Sequence, residues 1–155
     1  MTRRRWSGTS TRAVPEVELS AGGVVVRGDQ VIAIVPVKRD ARGRRVLGLP
    51  KGHLRDDESE QAAAIREVTE ETGVTAELVE KLGDVEYSYV RKRGGRVAKR
   101  VAFYLFQYRS GDVADHDHEI EEALWMPLAQ AARALSYQGE REMVARALSR
   151  GVGDR

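Results

Sequence analysis

The sequence predicts a single α/β domain, and three observations carry that expectation. Short runs rich in β-branched residues, each closed by a turn signal, fill the chain up to Pro50 and return after Val74. One helical stretch interrupts them, between Asp57 and Thr72. A second helical pattern follows Pro127 and ends near Leu148. At 155 residues the chain has the length of one domain and can bury a substantial core.

Taken in order, Val17 to Arg27 reads as a strand, and Gly28-Asp29 as the turn of a hairpin whose second arm is the apolar run Val31 to Val35. Asp40 to Arg45 is a polar loop. Val46 to Leu49 is expected to form a short strand ending at Pro50, which has no backbone donor to continue a ladder. The Asp57–Thr72 stretch holds alanines and long-chain residues with no glycine or proline until Gly73, placed where a left-handed helix stop belongs. Ala76 to Val90 and Val97 to Tyr108 flank the turn Arg91 to Arg96 and read as one long antiparallel hairpin, with Gly83 marking a bulge. Ala123 to Met126 is a further short strand. Pro127 then opens a helical tail carrying Ala131, Ala134, Leu135, Met143, Val144, Ala147 and Leu148, which Gly139 is expected to divide into two helices.

Composition excludes several classes. The absence of cysteine removes disulfides, thiolate zinc sites and cysteine nucleophiles. Charged residues make up 32% of the chain, yet the net charge is only +2, so a broad nucleic-acid surface is not expected. The arginines of the first segment, Arg3, Arg4, Arg5 and Arg12, are followed by no apolar run of signal length, and no stretch reaches the ~20 apolar residues of a membrane span. The expectation is a cytoplasmic protein with a domain at 17–150 and tails at 1–16 and 151–155. No membrane contact and no stable nucleic-acid partner are expected.

The helix after Gly52 carries the chemistry. With Glu67 as origin and ~100° per residue, Glu70 and Glu71 fall within about 60° on either side, while Ile65 and Val68 point ~100 to 160° away. Like charges at these spacings each cost a few tenths of a kcal/mol unless something neutralises them. A solvated acidic face paired to lysine or arginine from elsewhere is one outcome. A hard divalent cation is the other, since magnesium takes oxygen ligands from carboxylates and substrate phosphates.

The spacing extends beyond one stripe: Gly52, five residues, Glu58, seven residues, then Arg66-Glu67-Val68-Thr69-Glu70-Glu71-Thr72-Gly73-Val74. This resembles the complete signature box of the Nudix hydrolases. Seven fixed identities at average usage of ~7% each would match by chance on the order of once in a hundred million starts. The likeness reaches Ser20-Ala21-Gly22-Gly23-Val24 upstream and the Trp125 strand with its tail downstream, covering Val17 to Arg150. It implies an α/β/α sandwich, a mixed β-sheet held between helices, with a loop-helix-loop in which Glu67, Glu70 and Glu71 hold magnesium (manganese as the alternative) and Gly52 lets the backbone approach the metal. It also implies that one of the carboxylates Glu67, Glu70 and Glu119 acts as base, Glu67 first, that Arg66 and Glu58 pair to orient the helix above its stop at Gly73, and that an acid in the later loop, Glu119 or else Glu122, joins the metal site or serves as base. The neighbouring His116 and His118, in a polar loop, read as solvated.

Leu49-Pro50-Lys51-Gly52-His53 and Tyr87-Ser88-Tyr89 are similar to the branch that splits dinucleoside polyphosphates, where a tyrosine lies some sixteen residues past the box, as Tyr89 does past Gly73. Tyr87 and Tyr89 would then stack on bases, or else pack across strands, and Lys51, Lys99 and Arg100 would hold phosphates. The basic Arg91–Arg100 hairpin otherwise reads as a solvated turn. A small-molecule nucleotide is the expected partner, diadenosine tetraphosphate first. The rivals are oxidised nucleoside triphosphates, ADP-ribose and diphosphoinositol polyphosphates. A non-catalytic nucleotide sensor, or an RNA-binding module using the Arg3–Arg5 arm, is the rival from another class; the intact set of box glutamates argues against it.

Overall fold

The computed structural model describes residues 16–151, so the expectations for the arginine-bearing first segment and for 152–155 lie outside the described residues. The elements are β1 (Glu16–Arg27), β2 (Gln30–Pro36), β3 (Lys51–His53), α1 (Glu60–Thr72), β4 (Val74–Val90), β5 (Arg96–Gly111), a 3-10 turn at Val113–Asp115, β6 (Ile120–Pro127), α2 (Leu128–Ala134) and α3 (Gln138–Ser149). They form an α/β fold with a mixed sheet in the order β4-β5-β1-β2-β6, and β3 pairs with β1 outside that path.

Alternation of side chains along the strands sorts the core into two layers. In the run Val24-Val25-Val26, Val24 and Val26 join Phe103, Leu105, Leu135, Met143 and Val144 under α2 and α3. Val25 faces the other way, with Phe106, Ile32 and the α1 residues Ala63, Ala64 and Val68. A strand buried on both faces needs an unbroken apolar run, which is what β1 and β2 supply. Phe103 and Phe106 are fully buried, one in each layer, and each contributes roughly 1.5–3 kcal/mol of burial. The central pairing is parallel, β1 with β5 from Glu16↔Val97 to Val26↔Gln107.

Helix α1 begins at Glu60, later than the sequence suggests, because the Ser59 hydroxyl is the cap and accepts from the Ala62 amide at 3.0 Å. It stops at Gly73, which has φ 77° and donates its amide to Thr69 O. The β4–β5 hairpin forms, with a register shift at Lys81/Gly83.

Two expectations are corrected. Residues 46–49 are not a strand: they make only an isolated bridge, Gly48 to Ile34, and the ladder starts after Pro50, at Lys51–His53. The reason is where their donors go: Leu47 N–H to the Ser136 hydroxyl and Leu49 N–H to Glu140. Pro50, which has no N–H to give, takes part only through its carbonyl, which accepts from the Gly23 amide at 3.1 Å. Gly139 does not divide the tail either. The break falls at Leu135–Tyr137, and Gly139 lies in the first turn of α3, where a Cβ would stand 2.5 Å from Val85.

Candidate active site

Arg66 is the hub of the box. Its Nε and Nη2 donate to the two oxygens of Glu58, both at 2.8 Å, and Nη2 also reaches the His53 carbonyl at 3.0 Å. Nη1 donates to Glu67 at 2.9 Å and to Glu70 at 3.3 Å. One planar fork thereby joins the loop before α1, strand β3 and two of the stripe carboxylates. The Glu58 carboxyl is pulled down to about 2, by its bonds from Arg66 and then from the Arg55 amide.

That depression has a sign. Glu58 stabilises the fold fully above the ordinary carboxylate value of 4.5, and its contribution fades as pH falls from there through about 2. Glu58→Gln is therefore expected to melt below wild type at neutral pH, with the gap closing as the pH is lowered across that window. Thermal melts from pH 7 to pH 2 check this; a gap independent of pH would mean that the pair contributes nothing through its charge.

Strand β3 meets the stripe from the other side. The Lys51 amide donates to Glu71 at 3.0 Å. Gly52 lies so close to Glu67 that a Cβ there would overlap the carboxylate. Burial raises the Glu67 carboxyl, opposed by Arg66 and reinforced by the charges of Glu70 and Glu119. Burial likewise pushes Glu71 up to about 8, against the Lys51 amide and with help from Glu67 and Asp117. The loop before β6 completes the ring: Asp117 donates its amide to the Glu70 carbonyl at 3.0 Å, and the Glu119 amide donates to the Asp117 carboxylate at 3.1 Å. Glu122 is held elsewhere, opposite Val35 in the β2–β6 ladder and 3.8 Å from Arg45.

The donor chemistry suits a hard cation. Carboxylates are crowded at the end of α1 with Arg66 as their principal counter-charge, the glycine opposite leaves room beside Glu67, and burial holds two of the carboxyls above their usual range. The fit is one of donor set rather than of a preformed cluster. Among the described residues no three such side chains converge on one point, because Glu67 and Glu70 are turned onto Arg66.

The residues expected to hold substrate divide between the two faces of the sheet. Lys51, Tyr87 and Lys99 line a cavity of about 800 Å³ on the α3 face, together with Lys38, Tyr137 and Glu140. Burial lowers Lys99, and the charges of Lys51 and Lys38 lower it further. Lys51 is paired with Glu140 at 3.0 Å; burial works most strongly against its charge, but Glu140, with help from Tyr87 and Glu71, holds the ammonium above its usual range. Tyr89 stands apart, its hydroxyl 3.0 and 3.1 Å from the oxygens of Glu18. Arg100 is on the α1 face, bonded to Glu60 at 3.0 Å.

Sequence reasoning missed Asp117, Tyr137 and Glu140. Asp117 sat in a loop read as solvated, where an Asp-x-Glu spacing before an apolar strand was the available signal. Tyr137 and Glu140 had no local signal.

Comparison with known proteins meets this geometry. The model of the NUDIX domain matches residues 17–147, most of the chain and the whole of the ring just described. The chain belongs to the NUDIX family. Among curated NUDIX relatives, the protein designated MutT4 of Mycobacterium tuberculosis is 38% identical over 139 residues, covering 86% of this chain and 56% of its own length. The 8-oxo-(d)GTP phosphatase of Mycolicibacterium smegmatis is 36% identical over 104 residues, covering 67% of this chain and 30% of its own length. This chain thus spans little more than half of the one relative and less than a third of the other. A NUDIX hydrolase from Nitrosomonas europaea superposes with a TM-score of 0.66 at 23% identity, covering 90% of this chain and 91% of its own, which shows the shared fold. Among the described residues no helix is long and apolar enough to cross a membrane.

Proposed function

We propose that this protein is a divalent-cation-dependent pyrophosphohydrolase that cleaves a phosphoanhydride bond in a nucleoside diphosphate linked to a further group. The observation that carries the reading is the way part-buried glutamates of α1 meet β3, Glu67 against Gly52 and Glu71 at the Lys51 amide, on the chain segment whose Lys51 side chain enters the cavity on the opposite face. Glu67, Glu70 and Glu71 would hold magnesium or manganese, with Gly52 leaving room for the backbone to approach it. Bound there, the cation supplies charge stabilisation on the phosphoryl oxygens. Glu67 accepts the proton of the attacking water, with Glu70 and Glu119 close by to orient it. Lys99 and Lys51 hold phosphate oxygens, and Tyr87 offers its face to a base.

An oxidised purine nucleoside triphosphate is the substrate we assign first. The support is the activity for which the M. smegmatis relative is named, together with the position of Tyr89, which is tied to Glu18 and so contributes less to a stacking site than its place in the sequence suggests. A dinucleoside polyphosphate is the second reading, favoured by the two tyrosines, Tyr87 and Tyr137, that share one cavity with Lys38, Lys51 and Lys99.

The test is a panel with magnesium: 8-oxo-dGTP, dGTP, diadenosine tetraphosphate, ADP-ribose and diphosphoinositol phosphates, compared by kcat/KM. The expected result is a value for 8-oxo-dGTP at least about tenfold above the others, equivalent to roughly 1.4 kcal/mol of transition-state discrimination. A higher value for the tetraphosphate moves the assignment to the second reading. No turnover of any member defeats the hydrolase reading and favours a nucleotide sensor.

A further inference from the structure

Among the described residues Glu140 is the one acidic or basic side chain that is buried, at 3% exposure. A buried carboxylate is costly unless its charge is matched by strong donors, so its retention points to what those donors do. They are two, both from the segment that leads into the box. The Leu49 amide donates to Oε1 at 2.9 Å, and the Lys51 ammonium pairs with Oε2 at 3.0 Å. Gly48 makes room for this, since a Cβ there would stand 2.8 Å from Oε1. The same segment is laced to the α2–α3 junction a third time, by Ser136 N–H to Leu47 O at 2.8 Å and Leu47 N–H to the Ser136 hydroxyl at 2.9 Å.

The segment then crosses the sheet edge. Lys51 sends its side chain to Glu140 and its amide to Glu71, and the next residue, Gly52, packs on Glu67. Two helices on opposite faces are thus connected through one residue. Packing α3 against the sheet does not require an acid at position 140: Met143, Val144 and Ala147 do that work without one.

We infer that Glu140 is a positioning residue for hydrolysis, holding the backbone of Leu49–Gly52 in the place where Glu67 and Glu71 meet it. The inference rests on the assignment of the α1 glutamates to catalysis. Nothing about Glu140 requires it to touch substrate or cation; it acts through two bonds to the chain that does.

The test compares Glu140→Leu and Glu140→Gln with the wild-type protein by steady-state kinetics on the best substrate of the panel and by amide hydrogen exchange. For Glu140→Leu the expected result is a kcat at least tenfold lower with KM changed less than threefold, and a Lys51 amide exchanging at least tenfold faster while the α3 amides of Val144 and Ala147 keep their protection. Glu140→Gln retains an acceptor for Leu49 and is expected to fall between the two. If Glu140→Leu does not fold, Glu140→Gln decides by the same two measures. A folded variant with kcat within twofold of wild type, or with KM raised and kcat kept, overturns the inference, the latter by confining the role of Glu140 to substrate binding. Should the wild type hydrolyse nothing, the catalytic assignment fails by itself, and exchange at Lys51 still decides whether Glu140 holds the segment.

Discussion

Glu67→Gln is expected to lower kcat by about a hundredfold or more while leaving the fold intact. The substitution keeps the size of a side chain that is 12% exposed and packed against Gly52, and it keeps an oxygen for the Arg66 bond. What it removes is the charge, and with it both an anionic donor for a cation and the acceptor for the proton of the attacking water. Stability should move little, because the replaced carboxylate is part-buried and pressed by the like charges of Glu70 and Glu119. Steady-state kinetics with magnesium, alongside a thermal melt, measure both halves. Turnover within a few-fold of wild type would show that Glu67 has been given the wrong role, and Glu119 would be the next carboxylate to replace.

Gly52→Ala is expected to have an effect of similar size from a single methyl group. A Cβ at position 52 overlaps the Glu67 carboxylate, so either that side chain swings away or β3 lifts from α1. Displacement of a reacting group by about 1 Å can cost about a hundredfold in rate. The first response is the cheaper one, since a carboxylate is the far end of a flexible side chain, and the stability loss should stay at or below about 1–2 kcal/mol. The signature is therefore a kcat lowered ten- to a hundredfold in a protein that melts close to wild type. If activity survives unchanged, the close approach of β3 to α1 has no part in the reaction. If stability collapses instead, β3 has moved and the site is lost with it.

Much of this site was legible along the chain because its parts lie close together in sequence. From Gly52 to Gly73 the spacing of Glu58, Arg66, Glu67, Glu70 and Glu71 is set by one loop and one helix, and helix geometry alone puts the three glutamates on one stripe. The strands were legible for the same reason: β-branched runs between turn residues need only their own neighbours to declare them. The exceptions are instructive. Residues 46–49 look like a strand by composition, but their donors are claimed by Ser136 and Glu140, far along the chain. Gly139 looks like a helix break and is instead the point where α3 leans on Val85.

By itself, then, the sequence determined the likeness to the family, the alternation of strands and helices and the carboxylates of α1, all of which follow from local periodicity and fixed spacing. Only the tertiary structure decided how those carboxylates meet the rest of the molecule. It set the parallel pairing of β1 with β5, which sorts residues of one strand onto opposite faces: Lys99 goes to the cavity beside α3, while Arg100, its neighbour, goes to Glu60 on the α1 face. It also brought Glu140 to Lys51. The physical reason is that side chains alternate along a strand, so the face each one serves depends on the register of long-range pairings, and no local pattern encodes that register.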